Sequence, residues 1–240
     1  MREYEAGILR IERFSTGTHV IEIECPGIAE GIVPGQFLQV RAGNGTDPFL
    51  RRTFSVAGVD TVRGTCTLLI DVVGRGTELL CGLKRGGVIN VIGALGTGFD
   101  MTLSSKGNAV LVGGGTGMAP MLFLAGRLAS MRKDDRVVLL LGARTYRGFD
   151  AADKLAPSGV EIMKATDDGS FGYHGFITGL LKESFHELSP SVLYTCGPHP
   201  MMKAVAAIAS EHAIPCQVSL EERMACGIGA CLGCAVQMAD

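Results

Sequence analysis

Ala109-Val110-Leu111-Val112-Gly113-Gly114-Gly115-Thr116-Gly117-Met118-Ala119-Pro120 is the stretch that decides the fold. Four apolar residues in a row read as a buried strand, the glycines as a tight turn, and the apolar run from Ala119 to about Met131 as a helix. Pro120 suits a first helical turn, where the missing N–H costs nothing. In a strand, glycine turn and helix of this kind, the helix N-terminus offers free N–H groups and a positive dipole end to a pyrophosphate. The glycines let the backbone come close. A tight connection without a ligand would use the same glycines, so the surroundings must discriminate.

Working outward toward the C-terminus, short apolar runs recur at Val137–Leu141, Val160–Lys164, Ser191–Thr195 and Cys216–Leu220. A helix from about Pro200 to His212 separates the last two. Strands alternating with helices predict a parallel sheet with helices on both faces, which favours a nucleotide site at the glycine turn. The second strand does not end on an acidic residue; it runs into Gly142-Ala143-Arg144-Thr145. Arg144 is suited to stacking on adenine or to meeting a 2′-phosphate, so NAD and NADP both stay open.

Toward the N-terminus the rhythm differs. Alternating stretches occupy Gly7–Arg13, His19–Glu24, Phe37–Arg41, Thr53–Val59, Thr65–Val73 and Val88–Ile92. Turn signals separate them: Pro26-Gly27, Pro34-Gly35, Asn44-Gly45, Arg63-Gly64 and Arg85-Gly86-Gly87. Short strands at this spacing predict a small antiparallel β-barrel, with a short helix over Thr77–Leu83. The expected organisation is a barrel over 1–102, an α/β unit over 103–220 and a terminal segment over 221–240.

Composition narrows the function. A net charge of −2 leaves no basic footprint for nucleic acid. No apolar stretch follows Met1-Arg2-Glu3-Tyr4-Glu5 to make a signal peptide, and the longest apolar runs fall far short of a membrane span. Eight cysteines in such a chain point to a reducing, cytoplasmic setting with thiols kept for metal or redox work. Five histidines (His19, His174, His186, His199, His212) show no metal-ligand spacing and read as surface or capping residues; His199 follows Cys196-Gly197-Pro198 and is placed to brush a ligand there.

Cys226, Cys231 and Cys234 stand at the spacing C-x4-C-x2-C with glycine and alanine between them. This is the spacing of the first three thiolate ligands in plant-type 2Fe–2S proteins. Small residues suit a loop that must bring backbone N–H groups close to sulfur. A disulfide framework fits poorly in a chain of this length, and a zinc site would more often show paired C-x2-C knuckles. A 2Fe–2S cluster wants four ligands. Either Cys25, Cys66, Cys81, Cys196 or Cys216 folds back, or the fourth lies past Gln237-Met238-Ala239-Asp240, which ends in mid-pattern for a strand.

Arg51-Arg52-Thr53-Phe54-Ser55 lies in the barrel region. The guanidinium of Arg52 can fork onto a diphosphate, Phe54 can pack by a flavin ring and the Ser55 hydroxyl can bond the ring edge. An exposed strand with a basic edge would look alike. The order of motifs decides: Arg52-x-Phe54-Ser55, Gly74-Arg75-Gly76-Thr77, the Gly113 turn, then Thr195-Cys196-Gly197-Pro198. In that order they resemble the ferredoxin–NADP reductase superfamily. Thr166-Asp167-Asp168-Gly169-Ser170 and Leu220-Glu221-Glu222-Arg223-Met224-Ala225-Cys226-Gly227 narrow the resemblance to the iron–sulfur electron-transfer subunits of type B dihydroorotate dehydrogenase.

The resemblance covers essentially the whole chain and implies FAD held by Arg52, Thr53, Phe54 and Ser55, with Thr53 standing where many members have proline. It implies Gly76 and Thr77 capping the FAD pyrophosphate, and Gly115, Thr116 and Gly117 receiving the nicotinamide dinucleotide. Cys196 would lie near the nicotinamide, with Gly197 and Pro198 shaping the pocket; a buried core thiol is the other reading of Cys196. Cys226, Cys231 and Cys234 would be metal ligands, with the family's fourth cysteine beyond residue 240. A nicotinamide moves two electrons, a cluster moves one, and a flavin joins them. The implied partner is an FMN-bearing catalytic subunit that oxidises dihydroorotate, in a heterotetramer, with NAD+ as final acceptor. Alternatives are the small subunit of an NADH-dependent ferredoxin–NADP reductase or hydrogenase diaphorase, a free-standing flavin reductase with a vestigial tail, and a zinc-bearing interaction module.

Overall fold

The computed structural model describes residues 2–15, 17–43, 45, 47–104, 106–132 and 134–237. Asn44 of one expected turn and Met238 to Asp240 of the expected terminal strand lie outside them. The first half holds β1 (Arg2–Arg13), β2 (Thr18–Glu24), β3 (Phe37–Val40), β4 (Arg52–Asp60), β5 (Thr65–Asp71) and β6 (Val88–Leu95). These antiparallel strands close into a barrel in the order β1-β2-β5-β4-β3-β6. Ile28 and Ala29 of α1 (Pro26–Ala29) and Leu80 of α2 (Arg75–Cys81) complete its core.

The long β1 serves two neighbours. Its first half pairs with β6 (Arg2↔Gly93 to Gly7↔Val88) and its second half with β2. β1 starts five residues before the expected Gly7: Tyr4 and Ala6 continue the inward alternation of Ile8 between exposed Glu3 and Glu5, and pairing with β6 carries the strand back to Arg2. Between β3 and β4 the register is Phe37↔Ser55, Leu38↔Phe54 and Gln39↔Thr53. Opposed residues share a face. Leu38 is buried in the barrel core with Phe54 packed against it, so Phe37, Gln39, Thr53 and Ser55 face outward.

The second half is a six-stranded sheet: β7 (Asn108–Gly114), β8 (Val137–Ala143), β9 (Glu161–Thr166), β10 (Tyr173–His174), β11 (Pro190–Cys196) and β12 (Cys216–Ser219). The order is β10-β9-β8-β7-β11-β12 and every pairing is parallel. α3 (Met118–Met131) and α4 (Asp150–Lys154) pack on one face; α5 (Ile177–Leu188) and α6 (His199–Glu211) pack on the other. The strand order reverses between β7 and β11, the crevice where open α/β sheets bind ligands.

The two halves are joined through small residues. Val20, Ala57 and Leu69 of the barrel pack with Ala119 of α3 and Ala151 of α4. Between the halves, the Asp100 N–H donates to Gln217 Oε1, while Gln217 Nε2 and Tyr194 OH donate to the Asp100 carbonyl, each at 2.9 Å. This clamp ties the crossover to β11 and β12. Residues 220–237 then leave β12 without regular secondary structure.

Candidate functional site

The outward face of β3 and β4 and the C-terminal edge of the parallel sheet meet in a groove. A cavity of about 750 Å³ runs along Leu50 to Ser55, Val73 to Thr77, Thr116, Ala119 and Glu221 to Met224. A second, of about 330 Å³, shares Thr53, Ser55, Glu221, Glu222 and Met224 and reaches Phe37 and Val218. The groove therefore touches the barrel, the glycine turn and the segment leading to the cysteines.

Successive residues of β4 part company, as strand alternation requires. Arg51 turns to structural duty, donating to Glu3 Oε1 (2.7 Å) and to the Asn90 carbonyl (3.2 Å). Arg52 lines the larger cavity, bonds the Leu50 carbonyl and lies against Gly76, where any Cβ would overlap its guanidinium. Thr53 and Ser55 face both cavities. Phe54 also lines the larger one, yet its ring is packed on the barrel core rather than free to cover a ligand.

Thr77 stands at the start of α2 as expected for a residue beside a pyrophosphate, but its hydroxyl is already engaged. Its hydroxyl accepts the Val73 and Gly74 N–H groups (3.0 and 3.2 Å) and donates to the Gly74 carbonyl (2.8 Å). The side chain is consumed in tying the start of α2. What this turn can offer an anion is the free amides of the first helical turn, not the hydroxyl.

The glycine turn and the Cys196 turn lie side by side at the switch point. Gly117 has an ordinary φ of −64°, but a Cβ on it would overlap the Cys196 carbonyl and lie 2.5 Å from the Gly197 N. Gly197 is packed on Gly114, and Pro198 Cδ lies 3.2 Å from where a Gly114 Cβ would sit. Gly115, at φ +57°, faces open space and presents bare backbone. Thr116 lines the larger cavity.

Cys196 is fully buried among Met118, Tyr194 and their neighbours, so it is a core thiol along most of its surface. Burial, reinforced by Glu221, pushes it up to about 12. It is a neutral S–H donor at physiological pH and not a nucleophile. Its thiol points to Glu221 Oε1 (3.8 Å), which also accepts from Ser55 Oγ (3.3 Å). Glu221 thus bridges barrel and sheet across the groove. It lies in a quoted motif, but only the fold reveals its partners.

At the far edge of the sheet, the Asp168 N–H donates to the Arg144 carbonyl (3.2 Å) and its carboxylate accepts the Ser170 N–H (3.0 Å). The Ser170 contact holds Asp168 below the usual carboxylate range. An acidic residue does border Arg144, supplied by the third strand's loop. The histidine reading needs one correction. His19 is buried, with Nδ1 at 2.9 Å from the Gly17 carbonyl oxygen, while His174, His186, His199 and His212 are exposed.

The cysteine segment is the least finished part of the site. Cys226 Sγ accepts the Cys231 N–H at 3.4 Å, and bonds from the Ile228 and Cys231 amides lower its thiol to about 6. The donor chemistry fits a metal: a thiolate at neutral pH, ringed by backbone N–H groups. Among the described residues, however, no three cysteine, histidine or acidic side chains converge closely enough to hold an ion. None of Cys25, Cys66, Cys81, Cys196 and Cys216 joins the segment to complete such a set. Thiol convergence coupled to metal uptake is ordinary for small metal segments.

For a flavin dinucleotide the groove also fits. It is long, it carries the Arg52 cation and the α2 amides at one end, and it carries the Ser55 hydroxyl further along. Comparison with known proteins agrees. Residues 221–240 match the family model described as the iron-sulfur cluster binding domain of dihydroorotate dehydrogenase B, and residues 111–207 match the oxidoreductase NAD-binding domain. The chain is 40% identical over 235 residues to the dihydroorotate dehydrogenase B (NAD(+)), electron transfer subunit, of Desulforamulus reducens, spanning 98% of this chain and 88% of that one. The chain belongs to this family of electron transfer subunits. The Listeria monocytogenes member is likewise 40% identical, over 88% of this chain and 80% of its own. Among solved structures, the NADH-dependent reduced ferredoxin–NADP oxidoreductase superposes with a TM-score of 0.84 at 28% identity, over 95% of this chain and 80% of that one. A ferredoxin NADP+ reductase from Neisseria gonorrhoeae shares the fold (TM-score 0.74, 18% identity, 92% and 100% covered). This family's subunits are NAD-linked oxidoreductases of electron transfer, and the chain carries an oxidoreductase NAD-binding domain and an iron–sulfur cluster binding domain. Among the described residues no helix is long and apolar enough to cross a membrane.

Proposed function

We propose that this chain takes electrons from a separate FMN-bearing subunit that oxidises dihydroorotate and delivers them as hydride to NAD+, within pyrimidine biosynthesis. The two kinds of subunit form a heterotetramer in the cytoplasm. Electrons enter at the Cys226–Cys234 segment and leave beside the glycine turn. The observation that carries the reading is continuity. Glu221 to Met224 line the groove, and Cys226 follows two residues later, so the one-electron and two-electron sites are neighbours along a single extended stretch. FAD, when bound, supplies the exchange between paired and single electrons.

The residues divide the work. Arg52 and the first amides of α2 neutralise the FAD diphosphate. Thr53 and Ser55 line the ring, with Phe54 stiffening the strand from the barrel side. Gly115, Thr116 and Gly117 receive the dinucleotide phosphates, and Gly197 and Pro198 shape the nicotinamide pocket. Cys196 and Glu221, in contact across the groove, mark the side of it that would face the nicotinamide. Hydride transfer requires no acid or base of its own, which agrees with a Cys196 that stays protonated. Cys226, Cys231 and Cys234 ligate the cluster. Residues 1–102, 103–220 and 221–240 carry flavin, NAD and cluster in turn.

The isolated chain is expected to oxidise NADH with ferricyanide and to leave dihydroorotate untouched. With the catalytic subunit added, dihydroorotate should reduce NAD+. Dihydroorotate oxidation by this chain alone would refute the division of labour. A second reading, service in an NADH-dependent ferredoxin–NADP oxidoreductase, is favoured by the 0.84 superposition; co-purification of the native partner separates the two.

A further inference from the structure

Gln39 is a polar side chain where polarity needs a reason. It is 2% exposed. It projects from the outward face of β3, directly opposite Thr53 of β4, whose side chain lines both cavities. What covers it is the cysteine segment. Gln39 Nε2 donates to the Ala225 carbonyl at 3.5 Å. Gly227 crosses the carboxamide so closely that a Cβ there would overlap Nε2 and lie 2.8 Å from Cδ. Gly227 also holds φ +66°, so glycine is required twice over at this position. The strand beneath is fixed by Arg51, whose Nη1 donates to the Gln39 carbonyl at 3.5 Å.

The only residue between Ala225 and Gly227 is Cys226. Both of its neighbours therefore rest on one buried amide that belongs to the barrel. We propose that Gln39 is a positioning residue for the iron–sulfur centre: its carboxamide holds the Ala225–Gly227 turn, and so Cys226, in register with the flavin-side strand β4. The inference rests on the reading of Cys226 as a cluster ligand. It gives an otherwise irregular segment a fixed anchor on a rigid strand. Groups behind a ligand commonly set its orientation and its affinity for metal. It also puts one pair of hydrogen-bonded strands beneath both redox sites, since Gln39 and Thr53 are cross-strand partners.

The test uses the full chain. Gln39→Leu keeps most of the volume and removes the donor. It should retain FAD, lose iron to a chelator about 10-fold more readily, and show an altered EPR spectrum or midpoint potential for the reduced cluster. Gly227→Ala should also lose iron, and combining it with Gln39→Ala should lose little more than either change alone, because both undo the same contact. Native iron retention, EPR spectrum and potential in Gln39→Leu would overturn the proposal. So would iron losses that simply add when Gln39→Ala and Gly227→Ala are combined. If Gln39→Leu does not fold, the Gly227 pair decides alone. Cys226→Ser serves as the control: iron retained there sinks the ligand reading and this proposal with it, whereas iron lost there with Gln39→Leu unchanged sinks the role of Gln39 only.

Discussion

The flavin groove and the cysteine segment are built on opposite plans. Only Glu221 to Met224 of the groove come from the irregular terminal segment; most of it sits on or beside hydrogen-bonded elements, Arg52 to Ser55 on β4 and Thr116 before α3. Their positions are set before any cofactor arrives. Cys226, Cys231 and Cys234 lie in a stretch without regular structure, and their thiols do not converge. The lesson concerns where ordering free energy is spent. A site on strands is organised by the fold, whereas a site on a loop is organised by what it binds.

Cys226→Ser should separate the two regions most sharply. It should abolish reduction of NAD+ by the catalytic subunit, with FAD content and NADH–ferricyanide activity retained. Simultaneous loss of flavin, measured by absorbance, would show that the regions are not independent. Thiol chemistry gives the next contrast, in the cluster-free chain. Iodoacetamide labelling of Cys226 should rise as pH passes through about 6 and then level off, because a lowered pKa means that the thiolate is present above it. Cys196, held up to about 12, should stay unlabelled at pH 7 in the folded protein. Mass-spectrometric mapping of the labelled peptides checks both.

Within the groove, Arg52→Ala should weaken FAD binding about 10- to 100-fold, the loss of charge-assisted hydrogen bonds worth ~1.5–3 kcal/mol. Iron content should be unchanged. Flavin release on dilution, followed by fluorescence, reads the effect. The smallest expected change is Gly117→Ala. Its φ is ordinary, so the test is purely steric. The methyl group meets the Cys196 backbone and should cost about 1–3 kcal/mol of stability. Denaturant midpoints measure it, and a rise in KM for NADH should accompany it if the two turns are displaced.

Much of the groove could be read from residue order, because its motifs carry their own local geometry. The glycine turn, the basic–aromatic–hydroxyl strand and the Cys196 turn announce backbone shapes that need those residues. Other parts were hidden by physics that acts at long range. α5 was not anticipated. Ile177, Leu180, Leu181, Phe185 and Leu188 do mark a buried stripe with Lys182 and Glu183 on the exposed face, but Gly179 in its first turn and the lack of a capping side chain at Phe176 obscure its start. The early start of β1 was masked because Tyr4 and Ala6, set between the charged Glu3 and Glu5, are a weak apolar signal, and the β6 pairing that recruits them is long-range. Thr77 looked like a ligand group because a hydroxyl at a helix start serves either a ligand or the helix itself. Glu221 and Gln39 were invisible as functional residues, since their partners lie 25 and 166 residues away in Cys196 and Ser55, and 186 away in Ala225.

Ala119 has a consequence that reaches past its size. It is the second residue of α3, lines the groove, and packs against Val20, Ala57 and Leu69 of the barrel. The helix that presents the glycine turn is therefore the same rod that leans on the flavin-side strand. Its methyl group works as a shim between the barrel and the glycine turn. Any larger side chain there would wedge the two halves apart, so the thickness of one small residue sets the gauge of the groove between them.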